Sequence, residues 1–227
     1  MFVMGVDGCH AGWVCFRVEL SSRTTSVQLV NLRGLLRCRP EGLLALAIDI
    51  PIGLLDGPRA CDLAARKLLG QPRGSSVFPA PCRRATRAAT YEDACKANFL
   101  ATGRKISRQA WGIAAKIREI DEVITASSQE WAFEVHPEVC FWAMNGREPL
   151  LNGKKSAEGK SERLSLLRNI FPGINSHIAA TLPGVGVDDV IDAAAAAWTA
   201  LRHSEGCAEH VCEPEEDSLR IAASIRY

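Results

Sequence analysis

Acidic residues stand at five places in the sequence where a buried element would ordinarily carry an apolar one. Asp7 follows the run FVMGV, Asp49 closes LLALAI, Glu134 sits inside EWAFEVH, and Asp189 and Asp192 open the alanine-rich stretch DVIDAAAAAW. Each alone has a plain structural explanation: a turn residue before Gly8, a cap before Pro51, a partner for some Arg or Lys, and a helix cap complementing the macrodipole. Together they point to a cation site. Two carboxylates about 4 Å apart repel by ~4 kcal/mol at an effective dielectric near 20, so several ionised acids share one place only with cations between them. Oxygen ligands without a His/Cys set suit Mg²⁺ or Mn²⁺. Two such ions, roughly 3.5–4 Å apart, would serve a phosphodiester displacement.

The elements that must bring these acids together are readable from periodicity. FVMGVDGCHAGWVCFRVEL reads as a hairpin whose first strand ends at Asp7, and SVQLVNL from Ser26 as a third strand. Leucines from Arg33 to about Leu44 have helical spacing, and LLALAIDI is an apolar run of the kind expected for a buried fourth strand. From 59 to 128 the pattern is helical: RACDLAARKLLG, TYEDACKANFLATG and SRQAWGIAAKIREIDEVITA, interrupted by the loop GQPRGSSVFPAPC. EWAFEVH returns to strand alternation, with Phe133 and Val135 on one face and Glu134 and His136 on the other. Helices follow over Val139 to Met144, over Lys160 to Ile170, and from Asp189. In an open α/β sheet ligands bind outside the carboxyl ends of the strands, where Asp7 and Asp49 on adjacent parallel strands would face each other.

Bulk properties narrow the function classes. The 227 residues, 47% hydrophobic, predict one α/β domain with a substantial insertion. No stretch is long and apolar enough for a membrane span, and the start MFVMGVDGCH has no basic n-region, so a cytoplasmic protein is expected. Nine cysteines without a CxxC predict core-filling thiols rather than a disulfide framework. His203, Cys207, His210 and Cys212 form the tightest His/Cys group, but at a spacing that matches no usual zinc pair, and are read as a polar loop. The net charge is +1, yet it is segregated: Arg59 to Arg118 holds thirteen Lys/Arg against three Asp/Glu. Such a segment faces a polyanion, or the acidic remainder of its own chain.

GVDGCHAGW, IDIPIGL, SSVFPAP, QAWGIAAKIREID, FEVHPEVCF and DVIDAAAAAWTA, in this order from about Val3 to Tyr227, closely resemble the family of predicted RNase H-like nucleases catalogued as domain of unknown function 429. The resemblance implies an RNase H-like mixed five-stranded sheet flanked by helices, the first three strands antiparallel and the fourth and fifth parallel to the first. It also implies acids on the first strand, at the end of the fourth, and at spacing three on the last helix. Residue by residue these are Asp7, Asp49, Asp189 and Asp192, expected to hold Mg²⁺ or Mn²⁺. Asp7 would bridge two ions, Asp49 and Asp192 would each complete one site, and Asp189 would be a direct ligand or the helix cap. Glu134, on a strand that does not usually supply a ligand, is the less secure catalytic residue. His136 on the same face could assist protonation, or be a structural histidine.

The helical basic insertion, residues 59–128 between the fourth and fifth strands, departs from a typical member of that superfamily and is where substrate identity should be encoded. Arg59, Arg66, Arg73, Ser75, Ser76, Arg83 and Lys116 are its expected phosphate contacts, with Phe78 either stacking on a base or, the favoured reading, pinning the loop to the core. The expected function is a metal-dependent nuclease acting on RNA, DNA or a branched junction, with nucleic acid or another phosphoester as partner. A single-lobe nucleotide hydrolase or phosphotransferase is one alternative, disfavoured because such folds are duplicated around ATP. A non-catalytic nucleic-acid or partner-binding module with a structural acidic cluster is another.

Overall fold

The computed structural model describes residues 1–180 and 182–227. Its strands are β1 (Phe2–Cys9), β2 (Gly12–Glu19), β3 (Thr25–Leu29), β4 (Leu43–Ile48), β5 (Ala132–Val135), β6 (Glu215–Glu216), β7 (Ala222–Ala223) and β8 (Ile225–Arg226). The α-helices are α1 (Leu32–Arg37), α2 (Ala60–Arg73), α3 (Arg83–Thr86), α4 (Tyr91–Thr102), α5 (Arg108–Gly112), α6 (Ala114–Asp121), α7 (Pro137–Met144), α8 (Ala157–Ile170), α9 (Ile174–Ala179) and α10 (Val187–Ser204). One mixed sheet runs in the order β3-β2-β1-β4-β5-β8, while β6 and β7 form a separate pair. β1, β2 and β3 are antiparallel neighbours, and β4, β5 and β8 continue parallel to β1. Six strands therefore replace the expected five, because the two-residue β8 closes the sheet beside β5 through Glu134 and Val135.

Side-chain alternation divides the core into two layers. Val3 and Cys9 of β1, Ala45 and Ala47 of β4, and Phe133 and Val135 of β5 face the cluster that includes α7, α8, α9 and α10. Phe2, Met4, Val6, Leu46, Ile48 and Ala132 face the opposite cluster with Leu32 and Leu36 of α1 and Ile117 and Ile120 of α6. The alanine run of α10 is explained by the strand beneath it: Ala193 to Ala197 are all fully buried. A Cβ on Gly5 would stand 2.0 Å from the Ala197 backbone nitrogen and 2.2 Å from the Ala193 carbonyl. Helix and strand are in backbone contact there, and neither can retreat without opening the core on both sides. Gly5→Ala is therefore expected to cost about 3 kcal/mol, near the upper end for overpacking. Urea denaturation checks this, and an unchanged midpoint would mean that α10 sits farther from β1.

Three sequence expectations are corrected. β1 does not end at Asp7; its antiparallel pairing with β2 runs on to Cys9 opposite Gly12, whose φ of 124° only glycine adopts freely. The parallel pairing with β4 stops at Val6–Ile48, so Asp7 still marks the end of that ladder. The leucine helix stops at Arg37 instead of reaching Leu44, since Pro40 disfavours helical backbone at Arg39. The stretch 107–126 is two helices broken at Ile113, which has φ −107° and ψ 4°. The break lets Trp111 pack with the insertion's own cluster (Cys82, Ala85, Ala94, Cys95, Ile106, Ala110), while Ile117 and Ile120 join the sheet. A single straight helix could not serve both. The other predicted helices and strands are present within a few residues. All nine cysteines are free, six of them buried. No helix among the described residues is long and apolar enough to cross a membrane.

Candidate metal and phosphoester site

Parity along the strands decides which acids can meet. Asp7 shares its face with Gly5, and Asp49 continues the face of Ala45 and Ala47, so both point toward α10. The Asp49 backbone nitrogen donates to the Val6 carbonyl at 2.9 Å, which locks the two strand ends together. Asp192 lies one turn into α10 and is buried immediately before the alanine run. One carboxylate oxygen from each of Asp7, Asp49 and Asp192 lies within 4.8 Å of the other two, the sole group of three or more His, Cys, Asp or Glu ligands so gathered among the described residues.

Burial first, and then the neighbouring carboxylates, raise the Asp7 and Asp49 pKa values: Asp49 is pushed up to about 8 and Asp7 rises well above the carboxylate range. Burial raises Asp192 too, against the opposing pull of Lys154, whose Nζ donates to Asp192 Oδ2 at 2.6 Å. The Lys154 ammonium is in turn held charged chiefly by Asp192, with Asp49 and Asp7 adding to the effect against the cost of burial. Three carboxylates with one lysine among them carry a deficit of positive charge. Their oxygen-only donors fit a hard divalent cation, Mg²⁺ or Mn²⁺.

Asp189, at the third position of α10, lines the same cavity, but its Oδ2 accepts from the Gly186 backbone N–H at 2.8 Å. It caps the helix and stands outside the group of three. Glu134 pairs in register with Ile48 and so projects from the face opposite Asp49. There both its oxygens accept from Arg59 Nη2 at 2.7 Å, and Oε2 also accepts from the Ile52 N–H at 2.7 Å. Burial pushes Glu134 up to about 7 against the pull of Arg59, while Glu134 and Asp62 hold Arg59 charged despite its burial. Glu134 thus lines the same cavity but stands outside the group of three, with its carboxylate held by Arg59.

The expected phosphate contacts divide in the same way. Arg59 is 2% exposed and cannot reach a substrate. Arg66 donates to the Val77 carbonyl, and Arg83 is clamped between Asp121 and Asp217. Arg59 and Arg83 tie the insertion to acids elsewhere in the chain, Glu134 and Asp217, as the charge segregation allowed, while the Arg66 bond stays within the insertion. Ser75 is exposed to solvent beside the cavity loop. Arg73, Ser76 and Lys116 do line a cavity of about 340 Å³ together with the three carboxylates, His136 and Lys154. Arg73 Nε and His136 Nδ1 are buried there with no hydrogen-bond partner. Lys116 reaches across to donate to the Gly12 carbonyl at 2.5 Å, and burial lowers the His136 pKa. Phe78, half-buried, packs on the insertion's own cluster and also lines the cavity. His203 bonds the Glu130 carbonyl and His210 the Ser224 hydroxyl.

The model of the family described as "Protein of unknown function (DUF429)" matches residues 5–217. The chain belongs to this family. No curated protein and no solved structure matches it. In this DUF429 member Asp7, Asp49, Arg73, Lys116, His136, Lys154 and Asp192 all fall inside the matched span, and of the cavity's lining residues Ile225 lies beyond it.

Sequence reasoning missed Lys154, because nothing in LNGKKSAEG couples it to an acid 38 positions away. It allowed Glu134 an Arg or Lys partner without naming Arg59, and it missed the pair Arg163–Glu138, buried on both sides. Arg59→Met would leave Glu134 and Asp62 buried without a counter-ion, at an expected cost of about 3 kcal/mol. In the folded fraction the same variant should keep wild-type affinity for a phosphate-bearing ligand. A large affinity loss without a stability loss would restore Arg59 as a substrate contact.

Proposed function

We propose that the protein is a metal-dependent hydrolase of phosphoester bonds, an RNase H-like nuclease cutting a nucleic-acid strand. The observation that carries this reading is the convergence of Asp7, Asp49 and Asp192 within 4.8 Å, in a cavity lined also by Arg73, Lys116 and Lys154 and by four further acids, of which Asp62 and Glu134 pair with Arg59 and Glu138 with Arg163. The strand order supports the RNase H-like assignment: three antiparallel strands, then two parallel to the first, with acids on the first strand, after the fourth, and on the last helix. Mg²⁺ or Mn²⁺ held by the three carboxylates would supply Lewis-acid polarisation of a phosphoryl oxygen and ease ionisation of the attacking water.

The chain's own groups do the rest. Asp7 and Asp49, fixed by the β1–β4 ladder, and Asp192, fixed by the packing of α10 on Gly5, set ligand positions before any substrate arrives. Arg73, whose Nε lacks a partner, is the contact for a phosphate oxygen, a role suited to a planar guanidinium. His136, kept neutral by burial, is the group assigned to proton transfer. Ile50, Val77 and Ile113 furnish apolar wall for a base or sugar.

The test is a panel of single-stranded, double-stranded and branched RNA and DNA, with bis-p-nitrophenyl phosphate, incubated with Mn²⁺ or Mg²⁺ and with chelator. Chelator-sensitive cleavage supports the reading. Salt-sensitive polyanion binding without any cleavage would favour the binding module, and phosphate release from ATP alone would favour the nucleotide hydrolase.

A further inference from the structure

Most of the acids around the cavity have a partner of their own. Glu134 and Asp62 share Arg59, Glu138 faces Arg163, and Asp189 caps α10. Asp7, Asp49 and Asp192 remain, and Lys154 is the cation bonded to one of them, while Arg73 and Lys116 line the same cavity without a salt bridge to an acid among the described residues. Once ionised, three carboxylates with one ammonium in contact leave a local deficit of two positive charges, which a single divalent ion closes. A second ion would find no fourth carboxylate gathered with the three, since Asp189 closes on the Gly186 N–H and Glu138 on Arg163, and would meet the Lys154 ammonium at Asp192.

Lys154 is held in that position by a built loop. Ser156 caps α8 and donates from its backbone nitrogen to the Gly153 carbonyl at 3.0 Å. Arg163, buried against Glu138, donates to the Asn152 and Gly159 carbonyls at 3.2 and 2.8 Å. Glu162 accepts from the Asn152 side-chain amide at 2.6 Å. Gly159 lets the loop sit directly on α8, because a Cβ there would stand 2.0 Å from the Gly153 carbonyl oxygen. The unpartnered Arg73 Nε and His136 Nδ1 in the same cavity independently mark it as a ligand site.

Resting on the metal reading above, we infer that the site takes one divalent cation, coordinated by Asp7, Asp49 and Asp192, and that the Lys154 ammonium stands in for a second. Lys154 then acts as a fixed cation beside the reacting phosphoryl group. It also sets the metal stoichiometry.

The experiment is Mn²⁺ titration by calorimetry, with electron paramagnetic resonance on frozen samples, for wild type, Lys154→Met, Lys154→Gln and Lys154→Arg, each checked for a wild-type melting profile. Wild type and Lys154→Arg should bind one ion and show no spin-coupled manganese pair. With the ammonium removed, Lys154→Met should bind its first ion at least about tenfold tighter, as loss of a like charge in contact with Asp192 requires, or should gain a second, spin-coupled ion. Lys154→Gln repeats the measurement with a polar neutral side chain should the methionine variant fail to fold. Two ions in the wild type, or neutral variants matching wild type in both affinity and stoichiometry, would overturn the inference while leaving the metal reading intact. Folded wild type and folded neutral variants that bind no Mn²⁺ would overturn both.

Discussion

Asp7→Asn is expected to lower metal-dependent turnover on the order of 10³-fold, a loss comparable to deleting a principal electrostatic stabiliser from an active site, and at the same time to make the metal-free protein more stable. The first effect follows from the position of Asp7, flanked by Asp49 and Asp192, with one ligand oxygen from each within reach of a common ion. The second follows from burial and like charge, which together raise the Asp7 pKa and so disfavour its ionised form in the fold. Asparagine retains the carbonyl oxygen that accepts from the Gly8 N–H at 2.6 Å, so the local turn survives. Relief of the repulsion should raise the metal-free melting temperature by about 5 °C, given ~2–4 °C per kcal/mol for a chain of this size. Turnover and thermal melting on the same preparation separate the outcomes. Lost activity with lowered stability would assign Asp7 a structural role, and unchanged activity would sink the catalytic reading.

The second large effect is a pH dependence that metal should abolish. Asp49 ionises at 3.8 without perturbation and at about 8 in the folded protein, chiefly because it is buried and then because Asp192 is near. A carboxyl raised by folding binds its proton more tightly in the native state than in the unfolded one, so stability falls as pH rises between those two values. The cost is absent below the lower value and complete above about pH 8, where the shift corresponds to ~6 kcal/mol. The metal-free melting temperature should therefore drop steadily from pH 5 to pH 8. Saturating Mn²⁺ binds only deprotonated carboxylates, so its stabilisation should grow over the same range and flatten or reverse the slope. Melting curves at pH 5, 6, 7 and 8 with and without Mn²⁺ read this directly. A flat metal-free profile would show that the three carboxylates are not crowded in solution.

Much of the scaffold was legible in the chain because local chemistry wrote it there. Alternation and apolar runs identified β1 to β5, the alanine-rich stretch marked a helix, and the acids interrupting those runs singled out the three carboxylates that the fold gathers. Gly5, Ala45 and Ala47 share parity with Asp7 and Asp49, so small side chains under the helix and acids at its level belong to one pattern of period two. The chain by itself also confined the cations of the insertion to two fates, a polyanion or its own acids.

Only the tertiary structure chose between those fates and between the acids. Glu134 and Asp49 are equally conspicuous in sequence, yet pairing Glu134 with Ile48 turns it to the other face, where Arg59 meets it. Asp189 and Asp192 are spaced to share a site, but the helix begins so that Asp189 closes onto Gly186 and Asp192 faces the sheet. Arg59 and Arg73 are the same residue type in one basic segment, and burial against two carboxylates separates the one from the cavity that the other lines. Lys154 reaches Asp192 across a distance in sequence that no local rule spans. Sequence periodicity specifies which face of its own element a side chain occupies. Strand register, helix start and loop closure decide which faces meet, and they are fixed by packing summed over the whole core.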